Sequence, residues 1–344
     1  HGTAFAMMLL QRRLSSSIEA IHCSLQRRVD RLTLMLQTEM EHQEINHDEY
    51  DEIAYDEQEQ FEEASEGSVD TIDRNELRAE IAELERLIDL SAHIRSHHTE
   101  RKFQELEKTL FGEKGLLARN EKILIFTEST DTLLFLERKF TEYGLKTAKI
   151  MGRYSMEERR RQVELFRNDY PIMLATDAGG ESINLQFCNQ MINYDIPWNP
   201  NKLEQRMGRI HRIGQRNEVF VFNLVAKNTR EGDVLITLLT KMESMKKDLG
   251  NDFVYDFIGD RLEDSYTDLP TLMQDAILNR ESLGEIKGTI NKAVNEEFAQ
   301  LMKQAEEERI GMESVDLLQL QREQMHIAIN RIPNRAYAQF TSTI

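Results

Sequence analysis

From Lys122 onward the apolar residues stop recurring at helical intervals and gather into short unbroken runs. These are Ile123 to Phe126, Thr147 to Met151, Ile172 to Ala175, Gln190 to Tyr194 and Val219 to Val225. Runs of this kind suit strands covered on both faces, as in a parallel sheet. Helical segments separate most of them. One spans Asp131 to Tyr143 and is closed by Gly144; another spans Met156 to Phe166, opened by Ser155 with Glu158 in capping-box spacing. The order β, α, β, α, β, glycine-containing loop, β, α, β needs crossover connections, and predicts an α/β fold: one parallel sheet with helices on both faces.

The flanks read differently. Ile21, Leu25, Val29, Leu32 and Leu36 form a helical stripe preceded by Ser16 and Glu19 in capping-box spacing, and Leu77, Ile81, Leu84 and Ile88 form a second. The two stripes can pair as a protruding hairpin, with Phe103, Leu106 and Leu110 continuing toward Gly112. After about Gly250, stripes at Ile286, Ile290 and Ala293 and at Val315, Leu318, Met325 and Ile329 predict helices, stopped by Pro333. The expected division is 1–115 helical protrusion, 116–250 α/β lobe and 251–344 helical extension.

Charge separates the regions further. The net charge of −18 argues against a nucleic-acid partner, but the average misleads. Fifteen Asp or Glu and no Lys or Arg fall between Leu32 and Asp73, leaving 43 positive and 46 negative charges elsewhere. That acidic stretch reads as a frayed or disordered connector that repels nucleic acid. No run reaches the ~18 apolar residues of a membrane span, and the first ten residues lack the basic start of a signal peptide. Cys23 and Cys188 stand 165 positions apart outside any metal-ligand pattern, which predicts reduced thiols and a cytoplasmic protein.

Two segments carry chemistry. In Gln205 to Gln215, Q-R-M-G-R-I-H-R-I-G-Q, Arg209 and Arg212 are three apart and on a helix share one face, where they can grip a phosphate. In Thr176 to Leu185, T-D-A-G-G-E-S-I-N-L, a predicted strand ends in a glycine pair; open α/β sheets bind ligands at such ends. A structural turn is the commoner meaning of Gly-Gly alone.

Taken in order with K-I-L-I-F-T-E-S, M-G-R-Y-S-M-E-E-R-R and N-Y-D-I-P-W-N-P, these segments resemble the second RecA-like lobe of superfamily-two helicases, specifically Swi/Snf-type motors of the bacterial RapA-like branch, over about Lys122 to Lys247. An RNA helicase would usually read H-R-x-G-R-x-G-R, so His211 to Gln215 favours the duplex-DNA branch. The resemblance implies that Arg209 and Arg212, positioned by Gln205, reach the γ-phosphate of ATP held on an opposite lobe. Such fingers are worth about 10³ to 10⁵ in rate. It implies nucleotide contacts from Asp177, Gly179, Gly180 and Gly208, and DNA contacts from Thr176, Asn184, Arg153, Arg159 and Lys202. For Asp177, ribose contact and turn capping stand level; for Arg153 and Arg159 to Arg161, so do phosphate contact and a solvated helix face. Ser182 stands where the family commonly has Gly, which alters the φ available to that loop.

No G-x-x-x-x-G-K-[ST] phosphate loop occurs in the 344 residues. The expectation is a half-motor, the C-terminal part of a longer polypeptide, inactive alone, with ATP and Mg²⁺ held chiefly by the absent first lobe. Expected partners are double-stranded DNA, that first lobe, and proteins meeting the helical flanks; no membrane and no protein-bound metal are expected. His93 and His97 are four apart, but a solvated helix face outweighs metal binding, and Trp198 reads as sheet-edge packing ahead of base stacking. The rival to the motor is a non-catalytic interaction scaffold built on the same lobe.

Overall fold

The computed structural model describes residues 2–38, 73–112, 115–180, 183–198, 200–210, 218–226, 229–249, 282–288 and 340–343. Five strands come from the expected runs: β1 Ile123–Thr127, β2 Thr147–Ile150, β3 Ile172–Thr176, β4 Gln190–Asn193 and β5 Phe220–Val225. All are parallel, in the order β2-β3-β1-β4-β5, and β6, Phe340–Thr343, adds to the β5 edge. Every residue of β1 and β3 is buried, which accounts for their unbroken apolar runs. The fold is the parallel α/β sheet that the sequence predicts.

The helices are α1 Gly2–Ser16, α2 Ile18–Thr38, α3 Arg74–His97, α4 Arg101–Phe111, α5 Thr130–Glu142, α6 Met156–Asn168, the single turn α7 Asp177–Gly180, α8 Pro200–Met207 and α9 Arg230–Leu249. Period-2 alternation divides the sheet's side chains between two cores. Ile123, Ile125, Ile172 and Leu174 face α4 and α5; Leu124, Phe126, Met173 and Ala175 face α6, α8 and α9. Each fully buried Leu, Ile or Phe contributes roughly 1.5–3 kcal/mol. Ser155 caps α6 through the Glu158 amide at 3.2 Å, and Gly144, at φ +73°, takes the left-handed conformation that ends α5.

The hairpin forms as expected, with Leu25, Val29 and Leu32 of α2 packed on Leu77 and Leu84 of α3. Three expectations about the flanks change. Phe103, Leu106 and Leu110 of α4 share a core with β1 and α5, so α4 belongs to the sheet's outer layer and the lobe begins before residue 116. A helical stripe reads the same whether a helix or a sheet covers it. Nor does α1 protrude: it lies across the carboxyl ends of β1 and β4. Here the connections run in opposite directions, β1 toward β2 and β4 toward β5, making a switch point. The Ser16 hydroxyl fills that crevice, donating to Asp195 at 2.5 Å and meeting Thr132 Oγ1 at 2.7 Å. Finally, the 251–344 region expected to be helical supplies a helix at 283–288 but also the strand β6. The acidic stretch 39–72 and the stripes at Ile290, Ala293 and 315–329 lie outside the described residues. No described helix is long and apolar enough to cross a membrane.

Candidate functional site

At the end of β3 the chain turns sharply into α7. Thr176 is buried, and its Oγ1 accepts the Gly179 amide at 3.3 Å, closing the turn. Both glycines are crowded, Gly179 by backbone and Gly180 by a side chain. A Cβ on Gly179 would lie 2.5 Å from the Ile150 carbonyl, and one on Gly180 would lie 2.8 Å from the Phe126 ring. Asn184 is exposed and its Oδ1 accepts the Gln186 amide at 3.1 Å. Ser182 lies outside the described residues.

The second segment starts on α8, where Leu203 and Met207 anchor the helix in the core. Gln205 is exposed, Gly208 and Arg209 are half-buried, and Arg212, Gly214 and Gln215 lie outside the described residues. The structure brings the two segments together. The Leu185 amide donates to the Arg209 carbonyl at 3.0 Å, and Arg206 donates from Nε and Nη2 to the two Asp177 oxygens at 2.5 and 2.8 Å. Asp177 therefore holds a partner that sequence reasoning gave it neither as ribose ligand nor as turn cap.

Arg206 itself escaped the sequence reading. It is 2% exposed, and its Nη1 donates to Asn193 Oδ1 at 3.1 Å and the Asp195 carbonyl at 2.7 Å. The polar chain continues from the Asn193 amide to Asn223 on β5 at 2.8 Å. Asp195 accepts the Glu128 amide at 2.7 Å and the Thr127 hydroxyl at 2.6 Å. Burial pushes its carboxyl upward, but Lys102, Arg206 and the hydroxyls of Ser16 and Thr127 prevail and hold it below the usual range. The available signal was an arginine set in the apolar stripe of α8, beside Met207; its partners come from remote strands, which no local spacing reveals.

Among the expected DNA contacts, Arg153 is exposed but Arg159 and Lys202 turn inward. Arg159 donates to the carbonyls of Tyr154 at 3.1 Å and Gly152 at 2.9 Å, so it braces the loop before α6 and leaves Arg153, Arg160 and Arg161 as that region's exposed cations. Lys202 is buried near Glu128, whose carboxyl is raised by burial and lowered in part by Arg12 and Lys202. Trp198 is buried, donating to Glu231 at 2.8 Å beneath the Arg12 guanidinium. His93 and His97 stack on the exposed side of α3 with ring centroids 4.2 Å apart.

Residues 101–214 match the profile of the helicase conserved C-terminal domain. The matched stretch is about a third of the chain. The chain is 42% identical over 131 residues to the uncharacterized ATP-dependent helicase YqhH of Bacillus subtilis, covering 38% of this chain and 24% of that protein. It is 37% identical over 146 residues to the ATP-dependent DNA helicase DDM1 of Arabidopsis thaliana, covering 41% of this chain and 19% of the relative. The match thus spans about a quarter and a fifth of these relatives' lengths. Among solved structures, a Sulfolobus solfataricus SWI2/SNF2 ATPase core in complex with dsDNA aligns at 19% identity and a TM-score of 0.35, over 74% of this chain and 47% of that one. The stretch that matches the profile contains all of β1 to β4 and the Arg209 segment, while α1, α2 and α3 precede it.

Proposed function

We propose that this chain supplies the C-terminal motor lobe of an ATP-dependent DNA translocase of Swi/Snf type. The observation that carries the reading is the junction of the 176–185 and 205–210 segments, bonded through Leu185 and Arg209 and through Asp177 and Arg206, in a domain whose relatives are named ATP-dependent helicases. Arg209 and Arg212 stabilise charge developing on the γ-phosphate, Gln205 orients them, and Gly179, Gly180 and Gly208 let backbone approach the nucleotide. A phosphate loop and Mg²⁺ come from a partner lobe, since these 344 residues contain no such loop. Without that lobe the chain turns over no ATP.

Duplex DNA is held by its phosphates, through Asn184 and the exposed arginines before and along α6. The test is the salt dependence of binding to a fluorescent duplex, read by anisotropy. Replacing Arg153 and Arg160 by Gln should reduce the slope of log K against log salt by about 2, one unit for each lost phosphate contact. An unchanged slope would take DNA away from this surface and favour an interaction scaffold.

A further inference from the structure

Arg206 stands between the two site-bearing segments and touches neither nucleotide nor DNA in the reading above. A guanidinium so deeply buried is retained only when every direction of its charge is answered. Here the answers come from two separate parts of the chain: Asp177 after β3, and Asn193 with the Asp195 carbonyl at the end of β4. The same guanidinium lies 5.2 Å from the centroid of Phe126, the ring packed against Gly180. One turn further along, the Arg209 amide donates to the Arg206 carbonyl at 3.1 Å while the Arg209 carbonyl accepts from Leu185 at 3.0 Å.

We propose that Arg206 is a positioning residue: by gripping the ends of β3 and β4 at once, it fixes the Asp177–Gly180 turn and the backbone carrying Arg209 in one arrangement. The grip is a property of the chain without nucleotide, and its consequence for turnover rests on the ATPase reading above. A planar fork is required, because a lysine keeps the charge but cannot bond Asp177 and the β4 end together. Asn at 177 preserves shape and gives up one acceptor.

The experiment is backbone hydrogen exchange on the 344-residue chain, comparing Arg206→Lys, Asp177→Asn and the double variant with wild type. Leu84→Ala, in the buried hairpin core, serves as a control that lowers stability elsewhere. Arg206→Lys and Asp177→Asn should each speed exchange roughly tenfold in both 177–185 and 205–210, leaving α2 and α3 unchanged. Because both remove one interaction, the double variant should match the faster single variant within about twofold. Leu84→Ala should speed exchange in the hairpin and spare both segments. Acceleration of only one segment, a uniform rise across the sheet that follows the melting temperature, or additive effects would overturn the proposal. If Arg206→Lys does not fold, Asp177→Asn alone decides between joint and separate release. In the ATPase completed by a phosphate-loop lobe, Arg206→Lys should lower kcat about tenfold with KM for ATP within about twofold. An unchanged kcat would contradict the positioning role in turnover.

Discussion

At the scale of single residues, the glycine pair separates two kinds of constraint. The atoms that crowd Gly179 are backbone, the carbonyl group of Ile150 and the amide nitrogen of Met151, and they move only if β2 moves. The atoms that crowd Gly180 belong to the Phe126 side chain. Gly179→Ala should therefore cost about 3 kcal/mol, at the upper end of overpacking, and Gly180→Ala about 1 kcal/mol. Urea unfolding of both variants checks the order, and equal costs would mean that the β2 end yields as readily as an aromatic ring. Arg159 and Lys202 illustrate the converse: a basic residue near a site is a ligand only if its charge faces out, and both are turned inward. Sequence shows the charge but not the direction in which the backbone aims it.

At the scale of elements, β1 to β5 were legible because a strand buried on both faces must be apolar throughout, and α5 and α6 because their caps and stripes agree. What covers a helix was not legible: α3 and α4 carry similar stripes, yet one pairs with α2 and the other with the sheet. β6 was hidden for another reason, since Phe340–Thr343 joins the sheet through backbone pairing with β5 and shows no apolar run. In the site, Thr176 to Leu185 and Gln205 to Arg209 were visible as motifs, whereas the Arg206 network needed three segments to meet. α1 bears on this network through Ser16, whose hydroxyl donates to the charged Asp195 in a buried crevice. Ser16→Ala should destabilise the chain by roughly 1.5–3 kcal/mol, the range for a hydrogen bond to a charged group. Thermal unfolding measures this, and a loss below about 0.5 kcal/mol would mean that α1 rests on the crevice without being bonded into it.

At the scale of the whole molecule, the α/β lobe joins two regions of opposite habit. The acidic stretch accounts for most of the −18 net charge, while the lobe exposes Arg153, Arg160 and Arg161 before and along α6. α1 and the hairpin are fastened to the lobe by Arg12 with Glu128, Arg27 with Asp131, and Arg138 with Glu19, at 2.5, 2.9 and 2.9 Å. The central proposal is that Arg209 and Arg212 act on charge that develops during phosphoryl transfer, whereas nucleotide affinity comes chiefly from the phosphate loop of the other lobe. The direct measurement is DNA-stimulated ATP turnover by the protein joining this lobe to its phosphate-loop lobe, for wild type, Arg209→Lys and Arg212→Lys. Lysine keeps the charge and loses the planar fork, so kcat should fall by about 10² or more while ATP affinity and melting temperature stay near wild type. Near-normal kcat in both variants, or a loss of affinity and stability in step with kcat, would contradict it.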